Sequence, residues 1–349
     1  MAVTNSTGPH LRIVGPWNYS ISCAIGLVLM TFWVFGLLLN GLILFTFLKT
    51  PKMRSPTNLF ILGLIMNDFT LTFFGHPMDA TAAFVGRWPF GHIGCQLYGF
   101  AMFFTGLNAI SVLTAIAVDR YIVIAKPLYA SKITKRVAFL SLMVCAAHAL
   151  LWTVPPLFGW NRYVLEGGGL SCSVDFESRE TSDRVYQISI FISSYFLPIA
   201  LILFCYYHVY MTVRHVSRNT TFGKDSDVAK KNRKVEEKMF RTCLAMFGGF
   251  LFAWTPYAIV ALYVTFGDPH RVPTLILTTL AVWAKSSVVV DPSIYVFTNP
   301  MFRIAMAAHV PCQPLKNFLL PKEDDDDDEK PEPNRRGSAV APAQEEADV

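Results

Sequence analysis

Seven long apolar blocks, approximately 21–48, 57–84, 92–124, 137–158, 185–215, 239–266 and 273–298, constrain this chain more than any other feature. A helix crossing ~30 Å of hydrocarbon needs about 20 mostly apolar residues, and each block reaches that length. Composition agrees. Charged residues make up 16% of 349 positions, against roughly a quarter in soluble domains, and mean hydropathy is +0.39. The second block is the most polar, carrying Asn67, Asp68, His76 and Asp79. Striking it from the count would put the basic loops on alternating sides of the membrane. The expected fold is therefore an all-α bundle of seven membrane-spanning helices.

Orientation follows from Lys and Arg, which accumulate in cytoplasmic loops. The segments 49–54, 126–136 and 214–238 hold fifteen of them, whereas the opposite set of loops and the N-terminal segment hold six. The N-terminus is thus expected outside. No charged stretch, apolar core and small-residue cleavage site precedes residue 21, so the first span is expected to direct insertion itself. Sequons at Asn5 and Asn18 fall on the outer side, and Asn5, farther from the first span, is the better glycosylation acceptor. A third match, at Asn219, falls in a cytoplasmic loop and reads as chance.

The seven cysteines divide in the same way. Cys23, Cys145, Cys205 and Cys243 lie inside spans and read as small buried hydrophobes. Cys95 and Cys172 both fall on the outer, oxidising side, which predicts a disulfide between them. Cys312, just past an amphipathic stretch, is a candidate for palmitoylation. The layout is an outer segment over 1–20, a seven-helix unit over 21–310, and a tail over 311–349. In the tail an acidic run from Glu323 to Glu329 and a lack of packable apolar residues predict disorder. Asn299-Pro300-Met301-Phe302-Arg303 opens a stretch suited to a short helix on the membrane surface.

Three groups of residues carry chemistry. Lys285 lies mid-span, ten or more residues from either end of its block. A lysine there costs about 2.5–3.5 kcal/mol on insertion scales and is functional by default; the bland alternative, snorkelling to the interface, is harder from this depth. A desolvated lysine amine condenses with aldehydes to a Schiff base. Phe250, Phe252, Trp254, Tyr257 and Tyr263 make the sixth span aromatic nearby, as an ordinary bundle core would also be. The second group is Asp119-Arg120-Tyr121 at the inner end of the third span. It reads either as an interface anchor or as half of a latch, with Arg120 bridging to Glu236 at the inner start of the sixth span. The third is a set of intramembrane prolines and polar residues: Asn40, Asp68, Pro198, Pro256 and Asp291-Pro292-Ser293-Ile294-Tyr295. Proline bends a helix, and two carboxylates facing one core would share a proton, a water or a sodium ion.

Together, Asn40 with Asp68, the Cys95 and Cys172 pair, Asp119-Arg120-Tyr121, Trp254-Thr255-Pro256 and Asp291-Pro292-x-x-Tyr295 resemble the rhodopsin-like G-protein-coupled receptors across about residues 21–310. Lys285 within that frame resembles the retinal-binding lysine of the opsins. Gly94-Cys95-Gln96-Leu97-Tyr98, Ala117-Val118-Asp119-Arg120-Tyr121, Cys205-Tyr206-Tyr207-His208-Val209 and Phe266-Gly267-Asp268-Pro269 look like the peropsin branch. The resemblance implies retinal, 11-cis or all-trans, on Lys285, with Trp254, Tyr257 and Tyr98 around it. It also implies coupling to a heterotrimeric G protein, of the Gi/Go class, through Asp119, Arg120, Tyr121, Glu236, Tyr206, Asp291, Pro292 and Tyr295. Arrestin is a further implied partner, although Ser338 is the single hydroxyl residue of segment 313–349. The implied location is the plasma membrane of photoreceptor or retinal-supporting cells.

Tyr98 occupies the site where vertebrate visual pigments carry a glutamate counter-ion. Glu166, six residues before Cys172, matches the acidic position that serves other opsins, and is the expected counter-ion here. Burial disfavours a protonated Schiff base, and an opposite charge within ~4–6 Å restores it. Asp119 and Asp291 replace the commoner Glu and Asn of their motifs. The leading reading is a light sensor that signals; the alternative is a retinal photoisomerase with little signalling. An amine receptor would carry an acid where the third span reads Gly99-Phe100-Ala101-Met102-Phe103, and a transporter would show a repeated half.

Overall fold

A computed structural model of the chain describes residues 19–166, 168–219 and 227–320, with the backbone alone over 216–219 and 227–234. The outer segment with Asn5 and the acidic run lie outside the described residues. Seven helices span the bundle: α1 Tyr19–Lys49, α2 Pro56–Val85, α3 Gly91–Ala125, α4 Lys135–Phe158, α5 Thr181–His215, α6 Val235–Phe266 and α7 Thr274–Thr298. Their order and extents follow the apolar blocks closely. Without water in hydrocarbon, a helix is the local structure that satisfies its own peptide groups.

The ends obey capping chemistry. The Ser55 hydroxyl accepts from the amide of Asn58, with Pro56 at the first helical position, and the Thr134 hydroxyl accepts from Val137. Such caps satisfy amides that the helix leaves free. Gly86, at φ 75°, ends α2 in the left-handed region, where a Cβ would be strained. Large apolar side chains such as Leu38, Phe139, Leu151, Phe204 and Phe297 are exposed around the bundle. Only 22% of the most apolar stretch of α1 and of α4 is buried, against 56% in α2, so α2 is packed inside while α1 and α4 face lipid.

Regular helix gives way at specific places. Wide π-helical turns interrupt α2 at Leu71–Gly75, α3 at Tyr121–Ala125 and α5 at Ile192–Phe196. Each ends two residues before a proline, Pro77, Pro127 or Pro198, which lacks the amide a regular turn requires. Pro256 and Pro292 sit inside α6 and α7.

Two short antiparallel strands, β1 Tyr163–Leu165 and β2 Cys172–Val174, form a hairpin on the outer side with Leu165 opposite Cys172. Cys172 is bonded to Cys95 of α3, as the sequence predicts, and Gln96 donates to the Tyr163 carbonyl at 2.8 Å. The hairpin is thereby tied down over the outer mouth of the bundle. Of the in-span cysteines, Cys145, Cys205 and Cys243 are buried and Cys23 is half-buried, while Cys312 is exposed.

Beyond α7, Asn299 caps the short helix α8, Pro300–Ala307, by accepting from the amide of Phe302 at 3.1 Å. Phe302 packs against Phe47 and Tyr295, with ring centroids 5.6 Å and 4.8 Å apart. One expectation needs correction. The tail was expected to lack structure from 311 onward, yet Gln313–Leu319 forms a further helix, α9. Leu319 is buried and the Phe318 ring meets Phe297 at 6.1 Å. Those two apolar residues, read as part of a polar tail, find a surface that the bundle supplies.

The disulfide should matter for stability. It closes a loop of 77 residues, and losing such a link costs about 2–5 kcal/mol. Cys95→Ser, Cys172→Ser and the double variant should lower the thermal midpoint in detergent by the same amount, read by differential scanning fluorimetry. Additive losses would mean that the cysteines act separately.

Candidate functional site

Lys285 sits where α7 breaks. Its outer half, Thr274–Lys285, ends at this residue and its inner half resumes at Ser287–Thr298. At the break the Ser286 amide bonds three residues back, to the Trp283 carbonyl at 3.0 Å, and the Trp283 indole donates to the Phe252 carbonyl at 3.0 Å. That bond pins α7 to α6 beside the lysine. The Lys285 side chain is 12% exposed and faces an internal cavity of about 980 Å³, counting its open mouth. The wall is apolar and aromatic, with Met102, Phe103, Phe176, Phe191, Trp254 and Tyr257 among its residues. A Cβ at Gly106 would meet the Trp254 ring at 3.1 Å, so the glycine lets α3 approach the indole.

Lys285 is paired with Asp79 of α2. Its Nζ lies 2.9 Å from Asp79 Oδ2, and the Tyr98 hydroxyl donates to Asp79 Oδ1 at 2.6 Å. The Tyr98 ring lies 5.6 Å from Nζ. Asp79 and Tyr98 are 2% and 3% exposed. Glu166, the expected partner, also borders the cavity. Its Oε1 accepts from Tyr257 at 3.0 Å and its Oε2 from Ser171 at 2.6 Å. The loop that carries Glu166 is held by its own ion pair, Arg162 to Asp175 at 2.9 Å; that hydrogen bond raises the Arg162 guanidinium above its ordinary pKa.

The inner end holds the second group together as the sequence predicts. Arg120 reaches Glu236 at 2.5 Å and Asp119 at 2.7 Å, and also donates to Thr57. Thr57 in turn donates to Asp119 at 2.8 Å. Arg120 is buried, whereas the Glu236 side chain is 41% exposed. Tyr121 packs beside Phe204 and His208. Tyr206 packs beside Phe240 and Phe247. The buried hydroxyls of Tyr206 and Tyr295 make no hydrogen bond. Between the two ends, Asn40 donates to the Gly36 and Val288 carbonyls at 2.9 Å and 2.8 Å, joining α1 to α7. Asp68 and Asp291 are buried and within electrostatic reach of each other. Both Asp291 oxygens and Oδ2 of Asp68 lack hydrogen-bond partners.

The structure therefore gathers Lys285, Tyr98, Glu166, Trp254 and Tyr257 at the outer cavity, and Asp119, Arg120, Tyr121, Glu236 and Tyr206 at the inner end. Asp291, Pro292 and Tyr295 lie along α7 between these groups. Asp79 is the residue that the sequence reading passed over. An acid within an apolar span is functional by default, and that signal was present. Its direction was not legible, because the wide turn at Leu71–Gly75 changes which face the following residues present.

Comparisons with known proteins agree with this geometry. Residues 39–295 match the family profile described as 7 transmembrane receptor (rhodopsin family). Human melanopsin is 35% identical over 314 residues, covering 87% of this chain and 64% of that protein. Melanopsin of Branchiostoma belcheri is 34% identical over 86% of this chain and 42% of that protein. Rhodopsin of Sepia officinalis is 32% identical over 88% of this chain and 68% of its own length. The chain thus spans between about two fifths and two thirds of these relatives. The crystal structure of squid rhodopsin superposes with a TM-score of 0.82 at 29% identity, covering 93% of this chain and 94% of that one. Seven spans, the Cys95–Cys172 link and the motif geometry find their explanation in one ancestry: the chain belongs to the rhodopsin family of seven-transmembrane receptors, among the opsins.

Proposed function

We propose that the chain is a light receptor that carries retinal on Lys285 and activates a heterotrimeric G protein, of the Gi/Go class, from its inner face. The observation that carries this reading is a largely enclosed lysine at a helix break, opening into a cavity with an apolar, aromatic wall. The fit is chemical as well as steric. The wall suits a long apolar polyene, and the one amine at its edge suits an aldehyde, the two condensing to an imine with release of water. Bound there, retinal would supply absorption of light and a change of shape.

The protein's own residues do the rest. Trp254, Tyr257 and Phe191 wall the chamber. Asp79 and Tyr98 hold the charged end, and the hairpin covers the outer mouth. Pro256 bends α6 beside Trp254, so displacement of the indole has a route to the inner end of α6. There Arg120 and Glu236 tie α3 to α6, and parting them frees the inner face for a partner. Cys312, exposed after α8, is the proposed lipid attachment. The motif residues quoted for the peropsin branch keep a retinal photoisomerase as the alternative, and light-driven signalling separates the two.

Lys285→Ala should abolish visible absorption and acid-trappable retinal completely while the protein remains monodisperse. Absorption spectra of the purified protein with 11-cis and all-trans retinal read the outcome, and a Lys285→Ala pigment would end the opsin reading. Nucleotide exchange on a panel of purified G proteins, in darkness and light, tests the signalling half. Wild type that isomerises retinal yet activates none of them would favour the photoisomerase.

The latch gives a graded expectation. Glu236 is partly exposed, and exposed ion pairs contribute only about 0.2–1 kcal/mol. Arg120 also keeps Asp119 and Thr57 as partners. Glu236→Gln should therefore raise dark G-protein activation by a few-fold, not switch it fully on. Unchanged dark activity would remove the latch from the mechanism.

A further inference from the structure

We propose that Asp79 of α2, not Glu166 of the outer hairpin, is the direct counter-ion of the charged nitrogen on Lys285, with Tyr98 as the residue that positions it. The inference rests on the retinal-binding reading above, and it concerns residues that the structure already brings together. The nitrogen of the imine is the lysine Nζ itself, so the acid nearest Nζ is the acid nearest the charge. That acid is Asp79, at 2.9 Å.

Three further observations support it. The Asp79 side chain is 2% exposed and no arginine or second lysine is paired with it among the described residues. A buried carboxylate without a cation is strongly disfavoured, so Asp79 and Lys285 account for each other. Oδ1 accepts from Tyr98 at 2.6 Å, a geometry in which the phenol donates and the carboxylate keeps its charge. Tyr98 then has a function at a site with no acid of its own: it aims the carboxylate that lies across on α2. Glu166 has both oxygens engaged elsewhere, by Tyr257 and Ser171. It lines the main cavity with Lys285 and, with Asp79 and Lys285, a second, small cavity beside Thr278 with room for about one water molecule, but it makes no ion pair with the lysine among the described residues.

The placement has a local cause. The wide turn at Leu71–Gly75 and Pro77 reset the phase of α2 just below this point. His76 and Asp79, three residues apart, both turn inward and are buried. The groups facing the Lys285 nitrogen are then Asp79 and His76 from α2, Tyr98 from α3, Glu166 from the hairpin and Tyr257 from α6. Asp79 is the one in ion-pair contact.

The test has one arm with retinal and one without. In the pigment, Asp79→Asn should shift the visible band to the ultraviolet at neutral pH, with acid restoring it. Glu166→Gln should keep the visible band at neutral pH. Tyr98→Phe should keep the band but lose it at a lower pH than wild type does, since the carboxylate is less firmly aimed. Asp79→Glu should recover visible absorption. If Glu166→Gln loses the band and Asp79→Asn keeps it, or if both single variants keep it, Asp79 is not the counter-ion.

The second arm uses purified retinal-free protein and thermal unfolding. Removing one partner of a buried ion pair destabilises, whereas replacing both is far milder. Asp79→Asn and Lys285→Met should each lower the unfolding temperature, and the double variant should regain most of that loss. Additive losses would show that the two side chains do not interact and would overturn the pairing. Failure of wild type to form any pigment would instead count against retinal binding, and the retinal-free cycle would still decide the pair.

Discussion

Hydrocarbon cannot hydrogen-bond to a peptide group, and the whole molecule is arranged around that constraint. Each block long enough to cross becomes a helix, because only there does the backbone satisfy itself. Departures from regular helix are confined to places where protein, not lipid, surrounds the backbone or where proline has already removed an amide. The wide turns in α2 and α5 stand beside Pro77 and Pro198, and the break in α7 faces the central cavity at Lys285. Polar side chains follow the same law. Asn40 satisfies the carbonyls of Gly36 and Val288, and Asn67 donates to the Thr105 carbonyl at 2.9 Å, so side-chain amides join helices that apolar contact alone would leave free to slide in lipid.

Charge is handled differently at the two ends of the bundle. At the outer end, one cation and one anion pair at the edge of the cavity, with Tyr98 fixing the anion. Such a pair is stable only while both partners are present, which makes the site sensitive to any change at the nitrogen. At the inner end Arg120 is buried but shares its charge among Asp119, Thr57 and Glu236, and Glu236 is open to solvent. That arrangement is weak by design of its exposure, and it suits an element whose two states differ by little. The buried hydroxyls of Tyr206 and Tyr295 and both oxygens of Asp291 are left without hydrogen-bond partners among the described residues.

Much of this was legible in the chain itself. Length and hydropathy of the blocks fix the number of spans, and the bias of Lys and Arg fixes their direction. Lys285 stands out because a cation at mid-span is rare and costly, and Arg120 with Glu236 because opposite charges end two neighbouring spans. Cys95 and Cys172 share the oxidising side. The same reasoning fell short for α9: Leu315, Phe318 and Leu319 recur at helical spacing, but so short a stretch is not stable as a helix until Phe297 gives it a surface to meet.

Asp79 marks the boundary between the two kinds of information. The sequence by itself determined that a lysine would lie deep in the last span, and that acids would lie in the second span and in the outer loop near Cys172. Counting regular turns cannot say which acid meets the amine. A single wide turn rotates everything beyond it, and a loop's reach depends on the bonds that hold its side chains. Tertiary structure decided the matter by turning Asp79 inward on α2, giving it the Tyr98 hydroxyl, and occupying Glu166 with Tyr257 and Ser171. The physical reason is that ion pairing in a dry interior depends on separations of a few ångströms, while the hydrophobic pattern that sets the spans is read over lengths of some thirty.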